Sequence, residues 1–413
     1  APGRAGGGDR RGAEGAGGDA GMKWPKTTLG SIVSFKGGGT PSKDKSEYWT
    51  DEIPWATVKD FKGLTISCTQ DSISKKGLKE SASNIIPAGH VIIPTRMALG
   101  KAAINTIDMA INQDLRALIP KKQIDTRYLL YSMLGLAKQI EQFGTGATVK
   151  GITQNKLAEL EIPLPPLDEQ RRIAEILDAA DALRAKRREA LAQLDALLQS
   201  TFLDMFGDPV TNPKGWEVVT GAEAFEELAY GTSTKATSEP SPGNLPILRI
   251  PNVINGSIDW SDLKFINLPP KVSNKFLLNK NDLLFVRTNG NPDYIGRCAR
   301  FDGHKKALFS SYLIRGRLYA TSGLDSEFLK NHIEFKTYRH QVRKEARTTA
   351  GNYNLSTFGI RKFCFIKPPL SLQRRFAVIV EGVERQKARM RAHGAELDAL
   401  FASLQSRAFD GEL

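Results

Sequence analysis

Cysteines and long apolar runs are both scarce in this sequence, and their scarcity excludes several classes of protein. The 413 residues include three cysteines, Cys68, Cys298 and Cys364, which lie far apart, form no CxxC pair and have no histidine at the spacing of a metal site. A disulfide framework and a zinc site are therefore excluded. No run of about 18 apolar residues is present to cross a bilayer, and no charged segment followed by an apolar one marks export. We expect a cytoplasmic protein without a membrane partner.

The motifs of nucleotide-dependent and hydrolytic enzymes are also absent. No GxxxxGK(S/T) loop is present to hold ATP, and the glycines at 37–39 precede Thr-Pro, which favours a turn over a phosphate site. Asn291-Pro292-Asp293-Tyr294 lacks the second proline of the (D/N)PP(Y/F) motif that holds a flipped adenine in amino-methyltransferases. Residues 334–336 form a lone ExK without the partner carboxylate of a nuclease, and the histidines of the second half lack the serine or cysteine of a catalytic triad. We expect no catalytic residue, no metal and no cofactor in this chain.

Positive charge is the first feature that the sequence does have. Lys and Arg number 58 against 45 Asp and Glu, so the formal net charge is +13 and the isoelectric point is near 9.5. The excess lies in two stretches, +6 over residues 22–167 and +9 over 209–370, whereas 168–208 carries −3 and 371–413 carries +1. Basic surfaces neutralise phosphates and release counterions. Two basic regions on a nearly neutral remainder predict two separate contacts with nucleic acid.

The sequence contains an internal repeat. PPLDEQRRI at 165–173 recurs as PPLSLQRRF at 368–376, and the same offset of 203 residues continues without a gap over more than forty residues. Upstream of these segments the likeness is weaker, at an offset of 192, and pairs Gly39-Thr40 with Gly231-Thr232 and Ile53-Pro54 with Leu245-Pro246. The two halves therefore follow one plan.

Within each half, short apolar runs such as 90–93 and 282–286 are bounded by Gly, Pro, Asn and Asp, which predicts strands and turns. Short helices are predicted near 126–142 and 325–346. Each half is therefore expected to be an α+β globular unit.

The two repeated segments predict long helices. Each follows a Pro-Pro pair, and Asp168 or Ser371 is placed to cap the first free N–H groups. Apolar residues then recur seven apart, as in a coiled coil. The first helix has the rows Ile173, Ala180, Leu194 and Ile176, Leu183, Ala190, Leu197; the second has Phe376, Val383, Met390, Leu397 and Ile379, Leu400, Leu404. About 37 residues at 1.5 Å each give a rod of roughly 55 Å.

Such helices can dock separately, each on its own unit, or pack along one another. The matched length of the two seams favours mutual packing. The first helix leads into the second unit and the second helix leaves it, so a packed pair must be antiparallel. The predicted fold is α+β, with two globular domains separated by two long helices in an antiparallel coiled coil and related by a pseudo-two-fold internal repeat.

The expected boundaries follow from these patterns. Residues 1–21 contain nine glycines and no aromatic or β-branched residue, which predicts a disordered tail. The remaining segments are expected to be a first domain over 22–166, a spacer helix over 167–208, a second domain over 209–369 and a C-terminal spacer helix over 370–413.

Several short motifs occur in a fixed order in the first half. They are Gly38-Gly39-Thr40-Pro41-Ser42, Tyr48-Trp49, Ile53-Pro54-Trp55, Asn112-Gln113, Gly144-Thr145-Gly146-Ala147-Thr148 with Gly151-Ile152, and 162–167 with 169–173. In combination they resemble the specificity subunits of type I restriction-modification systems, and the resemblance spans Met22 to Leu413. The second half departs from the pattern at 349–353 and at 366–367, as expected if its domain recognises a different sequence.

The resemblance implies a DNA-recognition subunit rather than an enzyme. Such a subunit places two target-recognition domains on the halves of a bipartite, asymmetric site in double-stranded DNA, and its helical pair sets the spacer between them. It docks two copies of a modification subunit that methylates adenine N6, and two ATP-dependent restriction subunits can join the complex. S-adenosylmethionine, ATP and Mg are then expected on the partner subunits.

Side chains that contact DNA are expected in polar loops at corresponding places in the two halves. Arg suits guanine, Asn and Gln suit adenine, and Lys mostly binds phosphate. The candidates are Arg96, Lys101, Thr148, Lys150, Gln154 and Asn155 in the first domain, and Arg287, Asn289, Asn291, Arg297, Arg300, Asn352, Tyr353 and Asn354 in the second. For any one of them the alternative is an ordinary solvated loop side chain.

Two alternative functions stay open at this point. A chain that acts alone as a nuclease or methyltransferase would be established by methyl transfer from S-adenosylmethionine by the purified protein. A basic scaffold that binds nucleic acid without sequence preference would be separated from the first hypothesis by competition between duplexes of different sequence.

Overall fold

The computed structural model of the protein describes residues 24–146, 149–254, 256–349 and 351–413. The predicted tail, residues 1–21, lies outside the described residues. The chain forms two compact units: unit 1 contains the residues up to Arg187 together with His393–Leu413, and unit 2 contains Arg188–Ala392. In the described part of the chain, no helix is long and apolar enough to cross a membrane.

Unit 1 is built from short strands and helices. Its strands are β1 (Lys26–Thr28), β2 (Val33–Gly37), β3 (Ile53–Ala56), β4 (Thr65–Ile66), β5 (Asp71–Ile73), β6 (Ile85–Ile86), β7 (Val91–Pro94), β8 (Ala103–Asn105), β9 (Met109–Ile111), β10 (Leu115–Pro120) and β11 (Glu161–Pro163). Its short α-helices are α1 (Leu29–Ile32), α2 (Lys75–Lys79), α3 (Thr126–Gly135), α4 (Ala137–Phe143) and α5 (Gln154–Ala158), and the long helix α6 (Leu167–Phe206) begins here.

Two sheets form the centre of unit 1. The first has the strand order β2-β10-β7-β8-β4 and the second has the order β5-β3-β9-β6, in which β3 runs parallel to β9. Strand β7 is buried on both faces: Val91 and Ile93 pack with α3, whereas Ile92 packs with Ala103 and Ala117 on the other side. The apolar run at 90–93 therefore predicts a strand correctly, because a strand covered on both faces needs no polar alternation.

Unit 2 is built in the same way. Its strands are β12 (Glu217–Thr220), β13 (Phe225–Tyr230), β14 (Leu245–Leu248), β15 (Val253–Ile254), β16 (Ser257–Ile258), β17 (Lys264–Ile266), β18 (Leu283–Val286), β19 (Thr288–Asn289), β20 (Cys298–Arg300), β21 (Leu308–Phe309), β22 (Leu313–Leu318), β23 (Arg347–Thr349), β24 (Asn352–Asn354) and β25 (Cys364–Lys367). Its helices are α7 (Gly221–Ala224), α8 (Pro270–Phe276), α9 (Ser326–Glu334), α10 (Tyr338–Lys344), α11 (Thr357–Arg361) and most of the long helix α12 (Leu370–Asp410).

The strand orders confirm the internal repeat. The sheet β13-β22-β18-β20 of unit 2 corresponds to β2-β10-β7-β8 of unit 1, and β17-β14-β21 corresponds to β5-β3-β9. The parallel pair is kept as well, since β14 runs parallel to β21 as β3 does to β9. The predicted α+β fold with two repeated globular parts is therefore correct.

A glutamine in the first turn of each long helix joins that helix to its unit. Gln170 is buried, donates from Nε2 to the Pro165 carbonyl (2.9 Å) and accepts the Asp125 N–H at Oε1 (2.9 Å). Asp125 in turn caps α3 by accepting two N–H groups of its first turn. Unit 2 repeats this arrangement at α9 and α12 with the residues Gln373, Pro368 and Asp325.

The predicted caps of the long helices are wrong. Helix α6 begins at Leu167 and α12 at Leu370, so Asp168 and Ser371 lie inside the first turn rather than before it. Asp168 is paired with Arg171 one turn later (3.3 Å). Each helix therefore begins one or two residues earlier than a cap at Asp168 or Ser371 would place it. The preceding proline pair explains this, because proline fits the position just before or at the first turn of a helix.

Within unit 1, the start of α6 packs antiparallel to the end of α12. Arg184 Nε donates to Asp398 Oδ1 (2.6 Å), and Arg172 Nη2 donates to the Leu413 carbonyl (2.6 Å), so residue numbers fall along one helix as they rise along the other. An apolar cluster lies between the two helices and α3 and contains Tyr128, Tyr131, Ile173, Ala174, Leu177, Ala180, Phe401 and Ala408.

Within unit 2, the end of α6 packs antiparallel to the start of α12. Lys387 Nζ lies 2.7 Å from Asp195 Oδ1, and the rings of Phe202 and Phe376 are 5.5 Å apart in an edge-to-face contact. The predicted antiparallel helix pair is therefore present within each unit, where it also packs on the globular part.

One predicted heptad row is correct on each helix, and the other is correct only in part, at the half-buried Ile176, Ala190 and Leu404. The rows that begin at Ile173 and Phe376 are buried or half-buried, but Leu183, Leu197 and Leu400 are 52%, 48% and 48% exposed. The second buried row lies one residue later and contains Leu177, Arg184 and Leu198 in α6 and Val380, Lys387 and Phe401 in α12. Arg and Lys bury their aliphatic stems in this row while their charged ends reach carboxylates, so apolar spacing alone misplaces it.

Candidate nucleic-acid interface

In unit 1, the segment that follows β7 lies beside the glycine-rich segment that precedes α5. Arg96 pairs with Gly151 in an antiparallel bridge, and the Met97 N–H donates to the Lys150 carbonyl (3.2 Å). Gln154 is the first residue of α5 and lines the same depression as Arg96. The structure therefore brings together three predicted residues, Arg96, Lys150 and Gln154.

The remaining candidates of the first domain are placed differently. Asn155 follows Gln154 on α5 and is exposed. Lys101 is also exposed, five residues after Arg96, and no contact places it beside the others in the described part of unit 1. Thr148 lies outside the described residues.

Arg96 is positioned by a buried carboxylate. Its Nη1 lies 3.5 Å from Asp114 Oδ1, and the two side chains are 55% and 7% exposed. The Asp114 carbonyl accepts both the N–H and the hydroxyl of Thr95 (2.7 and 3.0 Å), which fixes the residue next to Arg96. Asp114 Oδ1 accepts no hydrogen bond from the described residues. The guanidinium is thus anchored at one edge while most of its surface stays open to a ligand.

In unit 2, four of the eight candidates lie on a small sheet with the order β19-β24-β23. Asn289 pairs with Tyr353 across β19 and β24, and Asn289 Oδ1 accepts the Asn291 N–H (2.8 Å). Asn354 Nδ2 donates to the Asn352 carbonyl (3.1 Å). The structure therefore brings the segments 289–291 and 352–354 together in one small sheet, with Asn289 and Tyr353 on one face and Asn352 and Asn354 on the other.

Two arginines beside this sheet are stacked on tyrosines. Arg287 Nη1 donates to the Ser311 carbonyl (3.0 Å), and its guanidinium carbon lies 4.6 Å from the centre of the Tyr230 ring. The guanidinium carbon of Arg297 lies 4.2 Å from the centre of the Tyr294 ring. Stacking of this kind holds a guanidinium in one orientation, which suits it to planar recognition of a base or a phosphate.

Arg300 is not part of this surface. It pairs with Leu283 at the far end of β18 from Arg287, and its Nε donates to Glu327 Oε2 (2.6 Å). The two side chains are only 18% and 8% exposed. Burial alone would raise the pKa of Glu327, but the charges of Lys330 and Arg300 lower it. Arg300 therefore lies in a buried ion-pair network inside unit 2.

The two candidate surfaces occupy equivalent places. The Thr95 N–H donates to the Asp114 carbonyl in unit 1, and the Arg287 N–H donates to the Tyr312 carbonyl in unit 2 (2.7 and 2.9 Å). One residue further on, Arg96 bridges Gly151, as Thr288 pairs with Asn354. The same backbone frame thus carries a glycine-rich loop in unit 1 and a three-stranded sheet in unit 2.

A groove that the sequence did not predict adjoins each surface. The unit 1 groove has a volume of about 620 Å³, and its lining includes Thr40, Lys43, Trp55, Asp71, Met97 and Asp114. The unit 2 groove has a volume of about 410 Å³, and its lining includes Thr232, Lys235, Ile247, Lys264, Ser310 and Tyr312. The sequence signals were the repeated Gly-Thr pair and the motifs that contain Trp49, Trp55 and Asn112-Gln113, but strand pairing, which no motif specifies, brings these separate segments together.

The glycines before Thr40 do not form the predicted turn. Gly38 follows β2 directly, and a Cβ at this position would overlap the carbonyl oxygen of Ile111; the same is true of Gly231 and the carbonyl oxygen of Phe309. Glycine is therefore required for close approach of two backbone segments at the groove.

Known proteins similar to this chain share one description. Residues 22–193 match the type I restriction modification DNA specificity domain. The chain is 28% identical over 287 residues to the MjaIX specificity subunit of Methanocaldococcus jannaschii. The aligned region covers 64% of this chain and 66% of that relative, so this chain spans just under two thirds of its length. It is 23% identical over 415 residues to the EcoKI specificity subunit of Escherichia coli strain K12, covering 94% of this chain and 89% of the relative.

A solved structure has the same fold. The S subunit of a type I restriction-modification system from M. genitalium aligns over 94% of this chain and 97% of its own, with a TM-score of 0.52 and 16% sequence identity. Residues 22–193 thus match the type I restriction modification DNA specificity domain, and the whole chain is similar to type I restriction-modification specificity subunits in sequence and, in its repeated α+β units and antiparallel helix pairs, in fold.

Proposed function

We propose that this chain is the DNA-recognition subunit of a type I restriction-modification complex and that it acts in the cytoplasm. Its target-recognition domains, residues 22–166 and 209–369, each bind one half of a bipartite, asymmetric site in double-stranded DNA. The observation that carries the proposal is the pair of surfaces at equivalent places in the repeat. In unit 1 this backbone frame carries Arg96 and a glycine-rich loop. In unit 2 the same frame carries Arg287, stacked on a tyrosine, and an amide-rich sheet. Two surfaces of different chemistry suit two different half-sites.

The catalytic steps belong to partner subunits in this proposal. Specificity subunits of this family act with methyltransferase and restriction subunits. Two modification subunits bind this chain, and its two equivalent joints at Gln170 and Gln373 support a two-fold arrangement of partners. Two restriction subunits can join them. S-adenosylmethionine, ATP and Mg are bound by these partners, and this chain supplies the sequence preference.

Methylation mapping tests the proposal directly. The chain is co-expressed with its modification subunits in a host that lacks other adenine methyltransferases, and methylated adenines are mapped across the genome. We expect one bipartite motif with a fixed gap. Methylation without a defined motif would contradict sequence recognition, and methyl transfer by the purified chain alone would establish the stand-alone enzyme instead.

The proposed spacer role of the helices has its own test. Removal of one heptad from both α6 and α12 keeps the apolar seam in register and shortens the pair by about 10 Å, which is the length of about three base pairs. We expect the gap in the methylated motif to become shorter while both half-site sequences stay the same. A gap of unchanged length would show that the helices do not set it.

A further inference from the structure

The two grooves can be compared position by position, because the strands that form them pair in the same register. Trp55 on β3 pairs with Asp71 on β5, and Ile247 on β14 pairs with Lys264 on β17. The strands β3 and β14 are related by the repeat offset of 192 residues. Asp71 and Lys264 therefore occupy the same position in the two units and carry opposite charges.

A second pair of equivalent residues differs in the same direction. Ile111 on β9 and Phe309 on β21 lie beside the equivalent residues Ala56 and Leu248 in the parallel strand pairs. The residue three positions after Ile111 is the buried Asp114, and the residue three positions after Phe309 is the exposed Tyr312; each lines the groove of its unit. The unit 1 groove thus contains a further hydrogen-bond acceptor where the unit 2 groove has a phenol.

The rim of the groove carries a lysine in both units. Thr40 and Thr232 correspond in the sequence repeat, and three residues after each of them an exposed lysine, Lys43 or Lys235, lines the groove. An exposed lysine at the rim of both grooves suits a part of the ligand that is the same in both, such as a phosphate group.

Buried polar atoms in both grooves form no hydrogen bond among the described residues, and Asp114 Oδ1 has only its 3.5 Å ion pair with Arg96. Asp114 Oδ1 in unit 1, and Ser310 Oγ and Arg249 Nε in unit 2, are buried and form no hydrogen bond among the described residues. The Asp114 and Ser310 residues are 5% and 7% exposed, and both line the grooves. Buried polar groups without hydrogen bonds are rare in folded proteins, so these atoms indicate surfaces that a ligand completes.

We infer that the two grooves are base-reading surfaces and that the charge at position 71 or 264 decides which base each prefers. This inference rests on the proposed function. The carboxylate of Asp71 accepts hydrogen bonds only, so it matches the exocyclic amine of cytosine or adenine in the major groove. The ammonium of Lys264 donates only, so it matches O6 and N7 of guanine. Lys43 and Lys235 bind the neighbouring phosphates.

The side chains at the two positions are free to make such contacts. Asp71 is exposed and Lys264 is half-buried, and neither side chain forms an ion pair or hydrogen bond among the described residues. Substitution at either position therefore removes no ion pair or side-chain hydrogen bond among the described residues. This makes charge reversal a usable test of recognition rather than of stability.

The test compares Asp71→Lys and Lys264→Asp in the assembled complex with modification subunits. Matched controls are Asp51→Lys and Lys271→Asp, which are exposed in the same units and do not line the grooves. Binding is measured on a library of duplexes in which each position of the wild-type motif is varied. We expect each groove variant to lose affinity for the wild-type motif by about 5- to 150-fold, equivalent to one good base contact, and to change preference at one position of one half-site. The controls should retain the wild-type motif.

Three outcomes would overturn the inference. They are an unchanged motif in both groove variants, equal losses on the wild-type motif and on random duplexes, and altered preference in the controls as well. Failure of the proposed function is a separate result, because then the wild-type complex itself shows no bipartite preference. Thermal unfolding of each variant is recorded alongside, and an unchanged transition assigns the binding change to the groove.

Discussion

Unit 1 and unit 2 share the strand order of seven strands in their central sheets, and one pair of equivalent positions shows how differently the two cores are filled. Asp125 and Asp325 cap equivalent helices, so Ser132 in unit 1 corresponds to His332 in unit 2. Ser132 donates its hydroxyl to the carbonyl one turn earlier (2.8 Å). The imidazole of His332 is fully buried among aromatic rings, with Tyr338 at a centroid distance of 4.5 Å. The repeat therefore fixes backbone positions without fixing what fills the core.

The two units also differ in the number of charged residues that they bury. Among the described residues, unit 1 buries the charged residues Asp60 and Asp114, and unit 2 buries Asp282, Arg315, Glu327, Lys330, Arg339 and Lys387. The hydrogen bonds that link a proline, a glutamine and an aspartate at the start of each long helix are nevertheless the same in both units. Two copies that share a frame can thus differ in stability and in surface chemistry independently, which is what recognition of two different DNA sequences requires.

The largest expected difference concerns the helix pair. At the offset of 203 residues, Phe202 in unit 2 corresponds to Gln405 in unit 1. Phe202 is 1% exposed within a cluster of aromatic rings, so Phe202→Ala should lower the free energy of unfolding by about 3–5 kcal/mol. Gln405→Ala removes one hydrogen bond to the Tyr131 carbonyl (3.0 Å) and should cost about 1 kcal/mol. Urea unfolding followed by circular dichroism measures both, and equal losses would contradict the comparison.

Acid should destabilise unit 2 through His332. Burial lowers the pKa of His332 from 6.5 to about 3, so between these values the unfolded chain binds a proton that the folded chain does not. Stability from the neutral ring is complete above pH 6.5 and falls as the pH decreases, by roughly 3 kcal/mol at pH 4.5. The measurement is the difference in unfolding free energy between pH 7 and pH 4.5 for the wild type and for His332→Gln. The variant should lose less over this range, and parallel profiles would exclude His332 as the cause.

Recognition by unit 2 should depend on Arg287, whose equivalent in unit 1 is Thr95. We expect Arg287→Ala to weaken binding of the specific site by about 1–3 kcal/mol and to spare non-specific affinity. Only the half-site bound by unit 2 should lose its sequence preference. Fluorescence anisotropy on specific and random duplexes measures this, with Arg389→Ala on the exposed face of α12 as the control. Equal loss on both duplexes would make Arg287 a phosphate contact.

The smallest effects are expected where the two copies agree. Leu197 and Leu400 are equivalent, and both are 48% exposed. Leu197→Ala and Leu400→Ala should each change the unfolding free energy by less than about 0.5 kcal/mol. Leu177→Ala, in the buried row of α6, should cost about 2–5 kcal/mol. Thermal unfolding distinguishes the two rows. A large loss of stability in Leu197→Ala would favour the row predicted from the sequence, which contains Leu197, over the row that contains Leu177.

The sequence was sufficient for the features that local patterns encode. The offset of 203 residues located both long helices, and apolar runs located strands such as β7. The heptad assignment failed at Arg184 and Lys387 because their side chains are partly apolar, which a hydrophobic pattern does not register. The buried Gln170 lies within the repeated segment, but its bond to the distant Asp125 could not be predicted from either segment alone.

The candidate surfaces were predictable only in part. Arg96, Lys150 and Gln154 come together because the β7 loop and the glycine-rich segment are paired, and both are recognisable as polar loops. Arg300 lies in a similar sequence context yet points into a buried network, because strand alternation and register decide its side. The grooves were missed because Asp71 and Lys264 are brought to them by pairing of β5 and β17, which no local motif specifies.

The division of the chain between the units has a consequence for its synthesis. Unit 2 is one continuous segment, whereas the cluster around Tyr128 and Ile173 in unit 1 needs Phe401 and Ala408. The ribosome adds those residues only after all of unit 2 has been synthesised. The part of the protein that begins first is therefore completed last, and until then the incomplete apolar surface of α6 and α3 is exposed to chaperones and to neighbouring nascent chains.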